Sequence, residues 1–119
     1  MAAGVFLDQL LALGFAVEPV APDRVVFPYL IDVGPRVGEL IRLGFIVPGD
    51  YNLSCPSGPH VSPRLYPNQG GGLHPSGGIH DSPFGSDWQY WSRPLKEWAH
   101  TTRNARAYMA HIRHLFATL

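Results

Sequence analysis

The chain has 119 residues, enough for one domain around one hydrophobic core, and its apolar fraction of 45% is ordinary for a globular protein. Nine basic and nine acidic residues cancel without a long run of either sign. That balance argues against nucleic-acid and membrane-surface partners, which need a concentrated basic field. The single cysteine, Cys55, excludes an intramolecular disulfide. The opening residues carry Asp8 and no basic start, so neither a signal peptide nor a membrane span is expected, and a reducing cytoplasm is the default.

Phe6, Leu7, Leu10, Leu11 and Leu13 recur at helical spacing ahead of Gly14, which predicts a short amphipathic helix over residues 5–13. Residues 16–20 read as a short extended piece, followed by an Ala21-Pro22-Asp23-Arg24 turn. Residues 25–31 are rich in β-branched and aromatic side chains, and Pro28 within them points to an edge or a bulge. Residues 39–47 alternate as a further strand, with Leu40, Arg42, Gly44 and Ile46 on one face and Ile41, Leu43, Phe45 and Val47 on the other. A helix followed by an antiparallel meander results.

The character changes over residues 48–87, where proline recurs and Gly70-Gly71-Gly72 and Gly77-Gly78 loosen the chain. This stretch reads as a long irregular loop, pinned by Tyr51, Tyr66 and Phe84, with a fourth strand over residues 61–65. A stripe of Ala105, Tyr108, Met109, Ile112, Leu115 and Phe116 predicts a closing helix that packs on the meander, capped by Thr101 or Thr102. Arg103, Arg106 and Arg113 fall on its solvated side. The expected fold class is therefore α+β: an N-terminal helix, a four-stranded antiparallel meander and a C-terminal helix in one domain over residues 1–119.

At Trp88-Gln89-Tyr90-Trp91-Ser92-Arg93, followed by Trp98 and the closing helix, the order of elements resembles the ubiquitin-conjugating enzyme superfamily, in particular its compact bacterial branch, prokaryotic family E. Val25-Val26-Phe27-Pro28 and the proline-rich run after Pro48 extend the resemblance over most of the chain. The resemblance implies a conjugating-enzyme-like fold and two partners, a ubiquitin-like protein and its activating enzyme. It implies no cofactor. Typical members carry ubiquitin as a thioester on a cysteine between a His-Pro-Asn motif and a tryptophan. Here the nearest match to the motif is His74-Pro75-Ser76, and counting on from it lands near Phe84. Counting back from Trp98 lands near Tyr90, close to Ser92, and no cysteine occupies either place.

A thiolate is accessible near neutral pH and leaves readily, whereas a serine hydroxyl needs an activating base. Thioester chemistry is therefore not expected. Ser92 is the candidate ester carrier, with Arg93 and weaker support from His74 or His80. Asp81, Asp87 and Glu97 supply carboxylates near the same segment, and His80-Asp81 could orient a base. Tyr51, Tyr66, Trp88, Tyr90 and Trp91 are the candidate protein-docking residues, because aromatic side chains dominate protein interfaces. Cys55, His60, His74 and His80 invite a zinc reading, but their spacing is irregular and no short paired motif is present, so no metal is expected. Gly70-Gly71-Gly72 lacks the lysine and the strand–loop–helix frame of a phosphate loop. A metal-binding enzyme built on the histidines and a structural adaptor are the alternatives.

Overall fold

The computed structural model describes residues 2–65 and 78–119. Helix α1 spans Ala2–Ala12, and strands β1 (Glu18–Ala21), β2 (Arg24–Leu30) and β3 (Leu40–Ile46) follow. Strands β4 (His60–Ser62), β5 (Ile79–Ser82) and β6 (Gly85–Trp91) come next, then a short 3-10 turn at Trp98–His100 and helix α2 (Ala105–Ala117). Every strand pairing is antiparallel, in the order β1-β2-β3-β4-β6-β5. The α+β class holds, and the first four strands are sequential neighbours. The sheet has six strands, however, where four were expected.

The fourth strand expected over residues 61–65 appears as β4, and the two extra strands, β5 and β6, come from the end of the stretch read as irregular and the aromatic segment after it. His60–Ser62 lies between Pro59 and Pro63, so neither proline removes a donor from within the strand. β5 and β6 form a hairpin whose tight turn places Ser82 opposite Gly85. Trp88, Tyr90 and Trp91 belong to β6, consistent with the preference of aromatic residues for a pleated surface. The helices begin differently from expectation too: Asn104, not a threonine, caps α2, its Oδ1 accepting from the Ala107 N–H at 3.0 Å.

Alternation sorts the sheet into two faces. Ile41, Leu43 and Phe45 point inward as expected, and Val25, Phe27 and Tyr29 join them from β2. Phe6 and Leu10 of α1 and Tyr108, Ile112 and Phe116 of α2 close this core, so both helices cover the same face. Edge-to-face contacts lock the layers: Phe6 on Phe45 at 5.8 Å and Phe45 on Tyr108 at 5.2 Å. Gln9 ties the helices and the following loop together, its Oε1 accepting from Tyr51 OH (2.7 Å) and from the Ala105 N–H (2.9 Å).

Gly44 breaks the alternation by being buried on the opposite face. The hairpin turn folds Phe84 onto it, and a Cβ there would sit 2.7 Å from Phe84 Cε2. A second, smaller cluster is built around this contact. The His60 ring lies 4.6 Å from both Phe84 and Tyr90, Phe84 lies 5.1 Å from Trp88, and the Arg42 guanidinium covers the Trp88 ring at 5.5 Å. No described helix is long and apolar enough to cross a membrane.

Candidate functional site

β6 carries the aromatic segment, and its end lies against the loop between β3 and β4. The Trp91 N–H donates to Pro59 O (2.9 Å), the Ser92 N–H to Gly78 O (3.0 Å) and the Arg93 N–H to Ser57 O (3.2 Å). Gly58 sits where any side chain would collide with the Trp91 carbonyl, so the close approach of loop and strand depends on glycine. Across the same junction, Ser57 Oγ and Tyr90 OH share a hydrogen bond of 2.7 Å.

The serine and arginine singled out from the sequence are both half-buried here. Arg93 Nη1 donates to Ser92 O at 2.7 Å, and burial pulls the guanidinium below its usual pKa. His111 of α2 reaches the same turn: its Nε2 lies 2.8 Å from Arg93 O, so that nitrogen carries the proton. Burial pushes the His111 pKa down, partly offset by this bond. The Ser92 hydroxyl makes no hydrogen bond to a base among the described residues. His80 stands opposite Tyr90 in the sheet register with the two rings 6.2 Å apart. Its neighbour Asp81 is taken by Arg64 at 2.9 Å. His74 and Tyr66 lie outside the described residues.

Of the docking candidates, Tyr51, Trp88 and Trp91 are interior residues and Tyr90 is half-buried. Trp91 is fully enclosed against Phe116 at 5.5 Å, with its Nε1 donating to Gln89 Oε1 at 3.0 Å. Burying one such ring stabilises the fold by roughly 2–3 kcal/mol. Tyr51, Trp88 and Trp91 build the two cores and leave little surface for contact, whereas Tyr90 keeps part of its side chain accessible. An apolar ring at period two in a strand goes inward whenever that face is covered, and here both faces are covered at β6.

Cys55, remote from Ser92 in sequence, packs against the edge of the main core beside Leu95. Burial pushes its thiol up, and backbone hydrogen bonds from Leu95 and from Cys55 itself only partly oppose this. Protonated and half-buried, it is a poor nucleophile. The Tyr108 hydroxyl nearby is buried with no hydrogen-bond partner among the described residues, and burial holds its pKa well above the usual value. No group of three or more metal-ligating side chains is present among the described residues. His60, counted with the histidines of the loop, instead shares a 2.7 Å hydrogen bond with Ser82 Oγ, which also accepts from the Phe84 N–H at 3.1 Å.

Sequence reasoning missed this His60–Ser82–Phe84–Tyr90 assembly. Its only local signal is Ser82-Pro83-Phe84-Gly85, a turn that brings an aromatic ring back over the preceding strand. The class defined by the coordinates is an α+β domain with two helices on one face of an antiparallel sheet and a histidine–aromatic cluster on the other. Comparison with protein-family models, with curated proteins and with solved structures finds no match to this chain.

Proposed function

We propose that the chain is a conjugating-enzyme-like component of a bacterial ubiquitin-like protein pathway, of the compact prokaryotic branch, that binds a ubiquitin-like protein or its activating enzyme. The observation that supports this most is the order of elements. A helix precedes four strands in sequential antiparallel order, and a tryptophan-bearing segment then leads into a closing helix on the same sheet face. The hairpin of β5 and β6 in this reading takes the place of the thioester-bearing segment that follows the fourth strand in typical members of that superfamily. In this reading the domain recognises its partner without thioester chemistry. The one thiol is held protonated by burial, and the serine nearest the vacated position is half-buried beside a turn.

Ser92 is the residue on which an ester with a ubiquitin-like C-terminus would form, with Arg93 beside it. The unactivated hydroxyl makes non-covalent binding the principal role and transfer the secondary one. The test mixes the full chain with a bacterial ubiquitin-like protein and its activating enzyme, with ATP and magnesium. A saturable non-covalent complex is expected. An adduct cleaved by hydroxylamine, resistant to thiol reductant and lost in Ser92→Ala supports the ester role. A reductant-labile adduct on Cys55 overturns the non-thioester reading, and no complex with either protein overturns the pathway assignment.

A further inference from the structure

Strand β2 has an uncovered edge. Ile31 directs both backbone groups toward the β3 side, its N–H donating to Glu39 O (3.0 Å) and its carbonyl accepting from the Gly38 N–H (2.8 Å). The alternation of an antiparallel pair then turns the N–H and carbonyl of Leu30 the other way. Pairing with β1 runs only from Arg24 to Val26, so no strand covers that edge beyond Val26 among the described residues. Pro28 falls on the same edge and offers a carbonyl but no N–H.

Beside this edge runs a groove of about 610 Å³ between β2, the chain leaving α1, and α2. Leu13, Phe15, Tyr29 and Met109 supply apolar walls, and Arg106 and Arg113 of α2 line the same groove. Asp32 holds Arg113 at 3.1 Å, whereas Arg106 has no carboxylate partner among the described residues. Leu30 and Leu40, opposite each other in register, are 58% and 69% exposed and continue the apolar surface around the edge.

We propose that this groove takes an extended acidic–apolar peptide segment of a partner protein as an added strand on β2. Backbone bonds to Leu30 and to the Pro28 carbonyl fix its line. One side chain of the segment fills the apolar groove, and a carboxylate two residues along, on the same face, meets Arg106. The proposal does not depend on the pathway assignment, since it specifies only the chemistry of the bound segment.

The test uses the isotope-labelled full chain and an acetylated eight-residue peptide of alternating leucine and glutamate. The controls are a leucine–lysine peptide and a leucine–glutamate peptide N-methylated at every second residue. Saturable shifts at the Leu30 and Phe15 amides are expected, lost on N-methylation and weakened about fivefold by Arg106→Glu, a substitution on an exposed helix face that should leave the melting temperature unchanged. Equal binding of the lysine peptide or of the N-methylated one overturns the proposal. So does the absence of saturable shifts at the β2 edge, or sedimentation showing that a second copy of the chain occupies the groove.

Discussion

His60 sits in the outer cluster between Phe84 and Tyr90, with Arg24 close enough to disfavour a second positive charge. Burial, and secondarily that arginine, lowers its pKa from 6.5 to about 4. The unfolded chain therefore binds more protons than the native one between these values. The stability that neutral His60 contributes is complete above pH 6.5, falls as the pH drops through that window, and is gone below about pH 4. A separation of roughly 2.5 pKa units corresponds to about 3 kcal/mol, a large part of the stability of a domain of this size.

Urea unfolding of the wild type and of His60→Phe, measured from pH 8 to pH 4, tests this. Phenylalanine keeps a ring between Phe84 and Tyr90 but cannot titrate. Other groups, including the half-buried His111, are common to both proteins and cancel in the difference. The stability difference between the two should change by about 3 kcal/mol across the window, with the wild type losing ground as the pH falls. An unchanged difference, or a His60 ring that titrates near 6.5 by NMR, would refute the reasoning.

Gly44→Ala places a methyl group against the Phe84 ring, and a loss of about 1–3 kcal/mol is expected in urea unfolding, with near-ultraviolet dichroism reporting the displaced aromatic cluster. Gln9→Ala strips partners from both Tyr51 OH and the Ala105 N–H, so a loss of about 2–3 kcal/mol should appear in thermal unfolding, against about 1 kcal/mol for Tyr51→Phe. Asn104→Ala removes the α2 cap and should cost about 1 kcal/mol, visible as faster hydrogen exchange in the first turn. Cys55 should react with a disulfide reagent at neutral pH more slowly in the native chain than in urea, because burial keeps the thiol protonated.

The first half of the fold was legible because its periodicities are long enough to carry a signal. The helical stripe through Phe6 and Leu10, and the alternation through Ile41, Leu43 and Phe45, both survive in the burial pattern. Pro28 does not lie on an edge strand, since β2 pairs with both β1 and β3, but the pairing with β1 ends at Val26 and leaves the proline's missing donor on an uncovered stretch. In the second half the closing helix was legible from its stripe through Tyr108, Ile112 and Phe116, and a strand near residues 61–65 was expected, but the hairpin of β5 and β6 was not. β4 and β5 are short, and Pro59, Pro63, Pro83 and Gly85 around them signal turns whether or not strands lie between. Their pairing partners are distant in sequence: Val61 meets Leu43 and Gln89. Local propensity carries no trace of such contacts. Gln89, a polar residue with no exposed surface, was equally hidden. It is tolerated because its Oε1 accepts from the Leu65 N–H and from Trp91 Nε1.

The tryptophan-rich segment is buried and leaves little surface for contact. A side chain that holds two core layers together is not available for contact without unfolding the strand that carries it, so any contact surface lies in what the fold leaves uncovered. Among the described residues, the large apolar side chains left most exposed include Leu30 and Leu40 on the adjoining β2 and β3, and the strand edge beside them retains unpaired backbone groups. Exposed apolar surface next to an unsatisfied strand edge is an aggregation hazard unless something covers it. The prolines at 28 and 35 and the short reach of β1 do not remove that hazard, since the Leu30 N–H and carbonyl remain free to pair. The aromatic segment therefore sets the position of β6 and α2, and the exposed apolar side chains beside the β2 edge are the surface on which the proposed added strand would rest.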